Sequence, residues 1–177
     1  MLTWVKQGKG SSSILFLVSI LTLFSALAFV LLHDLNSQEY SRIVEVLSTQ
    51  GVKAYALFSL IAVIFLGAIV VQLFFGSMIM HAISKIIFRI PISFELFYQV
   101  MKIFNIFLAF AIAWLIMIDI NSLVLSVILN PFIIFGFVIM FYLIVKFSHV
   151  HWFKPFLFVI FNFITYLILI NSITGGS

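Results

Sequence analysis

Five long apolar runs, separated by short polar segments, form the main pattern of the chain. Each is close to the about 20 residues that a helix needs to cross the hydrocarbon core of a bilayer. None alternates between apolar and polar positions as a barrel strand does, and backbone exposed to lipid must satisfy its own hydrogen bonds. We therefore predict an all-α integral membrane bundle of five transmembrane helices, over residues 14–32, 54–80, 97–118, 123–145 and 156–173.

The segments between the runs are too short for a second domain. The longest includes an outer amphipathic segment at about 33–50, whose apolar residues between positions 40 and 47 are spaced as on one helical face. We expect it to cap the bundle or to lie at the membrane surface. The link at 119–122 is so short that spans three and four must be antiparallel neighbours. Residues 1–177 are thus predicted to form a single transmembrane helical domain.

The composition agrees with this pattern and excludes several functions. Hydrophobic residues make up 65% of the chain, charged residues 8%, and the mean hydropathy is +1.35, which no soluble domain could keep in solution. The net charge of +4 does not indicate nucleic acid, because the basic residues flank apolar spans and suit anionic lipid headgroups. With zero Cys, disulfides, thiolate nucleophiles and cysteine metal ligands are excluded.

The basic residues are unequally divided between the two sides of the predicted spans. Cytoplasmic loops carry an excess of Lys and Arg. The side that holds the N-terminus carries seven of the nine basic residues, whereas the other side carries Arg42 and Lys53. We therefore predict a cytoplasmic N-terminus and an external C-terminus, in a multi-pass protein of a bacterial plasma membrane. The seven residues are Lys6, Lys9, Lys85, Arg89, Lys102, Lys146 and Lys154.

Span two carries a face of small and polar residues. Polar side chains inside a span need partners in a dry environment, so they are the first candidates for function. Ala68, Gln72 and Gly76 recur at every fourth position and share one helical face. Small residues beside an amide are typical of close helix contact with an interhelical hydrogen bond. We interpret this face as a helix-packing or partner-binding surface, with a path for a small solute as the alternative.

Span three carries a similar stripe that includes a charge. Lys102 is less than two turns into its helix, so its long side chain can reach the cytoplasmic headgroups. The alternative is a buried cation held by Glu95 or Gln99 on nearly the same face. We interpret this stripe, too, as helix packing or partner contact rather than a solute path. It consists of Lys102, Asn105, Ala109 and Ala113.

Span four is interrupted by Asn130 and Pro131. Proline removes one backbone hydrogen bond and clashes with the carbonyl of Val127, so a kink within span four is predicted. The side chain of Ser126 or of Asn130 is placed to bind the freed backbone group. We favour a structural kink over a ligand pocket, because the chain has no repeated half with a matching interruption.

Motifs for catalysis or metal binding are absent from the sequence. His81, His149 and His151 fall at the predicted cytoplasmic ends of spans, but the last two are not spaced as a helical metal-binding pair. The sequence has no Gly-x-Ser-x-Gly motif, no phosphate-binding glycine loop and no pair of intramembrane carboxylates. We therefore expect no enzyme activity, no metal and no cofactor.

Two segments near the end of span two and the start of span three carry a family resemblance. They are residues 81–88 (HAISKIIF) and 92–97 (ISFELF). Over about residues 72–105 the chain resembles the Ypt-interacting-protein (Yip) domain family. In that family a helix ends in a His–Lys turn, a short loop follows, and a Ser/Thr-Phe motif starts the next helix. The loop has Arg89-Ile90-Pro91 where that family has glycines, and span three lacks the customary proline. The resemblance implies five spans, a cytoplasmic N-terminus and a non-enzymatic membrane organiser.

These observations favour an accessory role in the membrane. Bacterial members of the Yip family resemble partners of transporters or of envelope-stress systems. We expect the chain to bind the lipid bilayer and a membrane-protein partner or a second copy of itself, and not nucleic acid. The first alternative is an immunity protein that confers resistance to a toxin or bacteriocin. The second is a transport subunit that passes a small solute along the faces of Gln72, Asn105 and Asn130.

Overall fold

The computed structural model describes residues 9–34, 37–49, 53–117 and 128–174. All regular structure in these ranges is helical, and they contain no strand. This agrees with continuous apolar runs that satisfy their backbone hydrogen bonds within each segment. The helices are α1 (Lys9–Asp34), α2 (Ser37–Thr49), α3 (Ala54–Ile86), α4 (Phe94–Met117), α5 (Pro131–Ser148) and α6 (Phe153–Thr174).

Four of these helices are long and apolar enough to cross a membrane, and α6 contains a shorter apolar stretch over Phe153–Ile168. Helices of this length and hydropathy define a multi-pass membrane protein. The prediction of an all-α membrane protein is confirmed at this level. The four candidate spans are Ser12–Val30 in α1, Tyr55–Ile86 in α3, Phe94–Leu115 in α4 and Pro131–Ser148 in α5.

α5 begins at Pro131, where the sequence predicted a kink inside a longer helix. Asn130 has an extended backbone (φ −70°, ψ 112°), and its Oδ1 accepts hydrogen bonds from the N–H groups of Phe132 and Ile133. Asparagine is a favoured N-cap and proline a favoured first helical residue, because the N–H that proline lacks has no partner there. The interruption predicted at Asn130 and Pro131 is thus the start of a helix. The first part of predicted span four lies in residues 118–127, outside the described part of the chain.

α4 is central to the packing, because both hydrophobic clusters of the described residues include it. One cluster joins α4 to α5, to α6 and to the loop after α3. The other joins α4 to α1 and α3 through residues such as Leu23, Leu73 and Ala109. Van der Waals packing of this kind is a main source of helix association in a membrane. Members of the first cluster without exposed surface are Ile90, Phe97, Val100, Ala111, Ile144 and Phe158.

Gly136 allows α4 and α5 to approach closely. It is buried, and a Cβ atom at this position would lie 3.1 Å from Cβ of Phe107 and 3.3 Å from ring atoms of Phe104. The ring of Phe104 also packs against Phe137, with centroids 5.0 Å apart. Small residues at helix contacts bring the two backbones together and let large neighbours pack around them.

Candidate functional site

One side of α3 presents the predicted small-residue face away from the packed core. Ala68 and Gln72 are exposed and Gly76 is partly exposed, and a Cβ atom on Gly76 would meet nothing within 4 Å. We call these three residues the α3 flank. The buried side of α3 is formed instead by Leu73 and Ser77, each one position from a flank residue. The flank thus has room for contact with another molecule.

The α3 flank carries one side-chain amide, that of Gln72, whose donors and acceptor are unused in the described part of the chain. It lies inside the candidate span Tyr55–Ile86, and within the described part of the chain its side chain forms no hydrogen bond. A glutamine amide carries two N–H donors and a carbonyl acceptor. Placing these groups against hydrocarbon without partners costs free energy. The flank therefore combines space with a polar group that needs a partner.

Lys102 ends inside the bundle rather than at its surface. The side chain has 0% exposure, and its Nζ donates hydrogen bonds to the backbone oxygen of Ser12 (3.1 Å) and to Oγ of Ser12 (2.8 Å). The same Nζ lies 4.9 Å from the ring centroid of Tyr98. The side chain thus ends at the first turn of α1, and its reach to the cytoplasmic headgroups stays a prediction. Its hydrogen-bond acceptors are in α1, and not the alternative pair Glu95 and Gln99.

Sequence reasoning did not identify Ser12 as a partner of Lys102. The two residues are 90 positions apart, so no local spacing relates them. The run of three serines at the start of the first apolar run, residues 11–13, was the available signal. Hydroxyl groups at the start of a span are ready acceptors for a neighbouring cation.

The rest of the span-three stripe faces α1 or bonds within its own helix. Nδ2 of Asn105 donates to the backbone oxygen of Met101 at 2.9 Å, an intrahelical bond. Ala109 is buried in the cluster that includes α1. Ala113 lines a groove beside Ala26 of α1. The small residues of this stripe therefore lie against α1.

Asn130 links the start of α5 to α4. It has no exposed surface, and its Nδ2 donates to the backbone oxygen of Ala111 at 3.0 Å while its Oδ1 caps α5. Within the described residues, its side-chain hydrogen bonds all join it to backbone groups. Pro131 occupies the first turn of α5 and is partly exposed. Both residues are thus placed at a helix junction.

The described structure gives His81 and His149 separate local roles. Nε2 of His81 donates to the backbone oxygen of Ile92 at 2.9 Å, and its ring packs on Phe94 and Phe97. His149 ends α5 in a left-handed conformation (φ 53°). Within the described residues no group of three His, Cys, Asp or Glu side chains is placed to hold a metal ion. His81 instead ties the loop after α3 to the start of α4.

The three amides of the predicted solute path are not joined. The side chains of Asn105 and Asn130 donate to backbone oxygens of α4, and Gln72 is exposed on α3. No hydrogen bond in the described part of the chain connects one of the three to another. The residue that remains accessible to a partner is Gln72, with Gly76 beside it.

Comparisons of the chain with known protein families, with curated proteins and with solved structures give no match. The resemblance to the Yip domain family remains a prediction from the sequence.

Proposed function

We propose that this protein is a non-enzymatic membrane accessory protein that binds a transmembrane helix of a partner membrane protein on the α3 flank. The observation that carries this proposal is the exposed amide of Gln72 inside a candidate span, with no hydrogen bond in the described chain. Ala68 and Gly76 lie one turn on either side of it and leave room for a second backbone. Small residues that flank an amide favour close helix association.

The chemistry of the α3 flank indicates what the partner helix carries. An amide in hydrocarbon is satisfied best by another amide or a hydroxyl, which offers both a donor and an acceptor. Because Gly76 has no side chain, the partner can approach the backbone of α3 closely at this turn. We therefore expect a partner helix with Ser, Thr, Asn or Gln opposite Gln72 and small residues on the same face.

The resemblance to the Yip domain family supports the same role. The segment that carries the resemblance, about residues 72–105, begins with Gln72 and contains Gly76. Bacterial members of that family resemble partners of transporters or of envelope-stress systems. We propose that the partner belongs to this class of membrane complex, in a bacterial plasma membrane.

Gln72→Leu is expected to weaken the complex with the partner while leaving the fold of the isolated chain intact. The change removes an interhelical hydrogen bond and adds apolar surface that lipid can cover, so we expect a loss of about 0.6–2 kcal/mol in association. The measurement is recovery of the partner by the tagged protein from its native membrane in mild detergent, quantified by mass spectrometry.

A matched pair of glycine variants controls this experiment. A Cβ atom on Gly67 or on Gly76 meets nothing within 4 Å, and the two lie nine residues apart on opposite sides of α3. Gly76→Leu is expected to reduce partner recovery, whereas Gly67→Leu is expected to preserve it. Equal recovery by wild type, Gln72→Leu and Gly76→Leu would contradict the proposal, and recovery of a second copy alone would replace the partner with self-association.

We propose five spans, with the N-terminus in the cytoplasm and the C-terminus outside. The grouping of basic side chains supports this orientation. Lys85 and Arg89 are exposed at the end of α3, and Lys146 and Lys154 are exposed where α5 ends and α6 begins. The ring of Phe88, next to Arg89, packs on Phe158 in the second turn of α6. One end of the bundle is thus positively charged, as expected of a cytoplasmic surface.

Cysteine labelling is expected to report this orientation directly, because the chain contains no cysteine of its own. With a membrane-impermeant maleimide on intact cells, Ser48→Cys in α2 should be labelled and Arg89→Cys should be labelled only after lysis. Both native side chains are exposed, so access depends on the side of the membrane. Labelling of Arg89→Cys before lysis would reverse the proposed orientation.

A further inference from the structure

A groove of 440 Å³ opens between α1 and α4 beside Lys102. Ser12 lies two residues before Ile14, where the first apolar run begins, so the groove is expected at the level where the hydrocarbon of a bilayer meets the headgroups. Its deeper wall is apolar, and Leu17, 57% exposed, lies between one and two turns further into the span. A molecule with a polar head and an apolar tail matches this gradient. The lining residues are Ser12, Ser13, Phe16, Leu17, Tyr98 and Lys102.

The charge of Lys102 forms no ion pair in the described part of the chain. Its partners there are two oxygens of Ser12 and the ring of Tyr98, which are all uncharged. Glu95, two turns earlier in α4, is exposed; it attracts this charge electrostatically but forms no ion pair with it among the described residues. Burying a cation away from water is unfavourable unless an anion compensates it. The groove is thus a place where an anion would be stabilised.

We propose that this groove binds one anionic phospholipid, with the phosphate at Ser12 and an acyl chain along Phe16 and Leu17. Lys102 has no exposed surface, so its charge acts on the phosphate through Ser12. Because Oγ of Ser12 accepts a hydrogen bond from Nζ, the hydroxyl hydrogen of Ser12 is available to donate to a phosphate oxygen. Basic sites between membrane helices on the cytoplasmic side recognise anionic headgroups in this way.

The test is native mass spectrometry of the purified full chain titrated with phosphatidylglycerol or phosphatidylcholine in detergent. The wild type is expected to retain phosphatidylglycerol preferentially. Lys102→Met is expected to lower the affinity for phosphatidylglycerol about fivefold or more, and Lys102→Arg should retain most of it, because it keeps the charge. Lys85→Met, which removes an exposed lysine, is the matched control and should change the affinity less than about twofold.

Several results would overturn this site. The first is equal retention of the two lipids by the wild type. The second is an equal loss of phosphatidylglycerol affinity in Lys102→Met and Lys85→Met. The third is displacement of phosphatidylglycerol by inorganic phosphate, which would indicate a site for a free anion. Ser12→Ala tests the site without changing the buried charge, and circular dichroism verifies that the variant is folded. An unchanged affinity of this variant for phosphatidylglycerol would also contradict the proposal. The lipid site does not depend on the α3 flank, so Gln72→Leu should leave phosphatidylglycerol binding unchanged.

Discussion

Asn130→Ala is expected to destabilise the protein by about 1.5–3.5 kcal/mol. The change removes the cap of α5, which is worth about 1 kcal/mol and up to about 2. It also removes the hydrogen bond that Nδ2 of Asn130 donates at 3.0 Å to the backbone oxygen of Ala111, and a hydrogen bond of this kind contributes about 0.5–1.5 kcal/mol. Both losses fall at a site with no exposed surface. Equilibrium unfolding in mixed detergent micelles measures the effect.

Asn105→Ala is the matched control for this substitution. The amide of Asn105 bonds to Met101 within the same helix, so its removal breaks no hydrogen bond between helices of the described chain. Alanine also has the higher helix propensity, by a few tenths of a kcal/mol. We expect a change of less than about 1 kcal/mol. If both variants lost the same stability, Asn130 would not join α5 to α4 in the way described.

Gly136→Leu is expected to destabilise the contact between α4 and α5 by about 3 kcal/mol. Its first added atom would already lie 3.1 Å from Cβ of Phe107, an atom attached directly to the backbone of α4. Relief therefore requires the two helices to move apart, and overpacking of this kind costs typically about 1–3 kcal/mol, occasionally more. Gly136→Ala adds that atom alone and should cost about 1 kcal/mol. The same unfolding equilibrium measures both variants.

Gly67→Leu separates this packing effect from helix propensity. Both glycines are inside helices, so leucine increases the helix propensity of each by roughly 0.5–1 kcal/mol. Nothing lies within 4 Å of a Cβ atom at Gly67. Gly67→Leu is therefore expected to leave the free energy of unfolding unchanged or to raise it. A stability of Gly136→Leu at or above that of the wild type would show that α4 and α5 do not approach as described.

The helical membrane fold could be predicted from the sequence because its signal is local. A helix that crosses hydrocarbon needs about 20 apolar residues in a row, and polar groups tend to stay outside that run. The run at 54–80 therefore located α3, although the helix continues to Ile86. The helix continues past the apolar run because helical hydrogen bonds do not stop where the apolar run stops.

The role of Asn130 and Pro131 could not be decided from local sequence. A proline interrupts the backbone hydrogen bonds of a long helix and is also well suited to start a new one. The choice depends on the conformation of Asn130, whose amide bonds to Ala111 in another helix. A contact between helices, which periodicity does not describe, thus separates a kink from a helix start.

The sequence predicted only part of the candidate sites, because helical periodicity does not describe contacts between helices. Periodicity placed Ala68, Gln72 and Gly76 on one face of α3, since residues four apart lie on the same side of a helix. It did not indicate whether that face meets the neighbouring helices. Lys102 was identified as an unusual charge in a span, but its acceptor is in α1, and only the fold brings Ser12 to it.

Photo-crosslinking from the α3 flank in the native membrane tests the proposed docking surface most directly. A benzoylphenylalanine at position 72 would be compared with one at Val70, an exposed residue two positions away on the opposite side of the helix. If the flank binds a partner helix, position 72 should give one dominant crosslinked membrane protein and position 70 should not. No protein crosslink at position 72, or the same products from both positions, would contradict a docking role for the α3 flank.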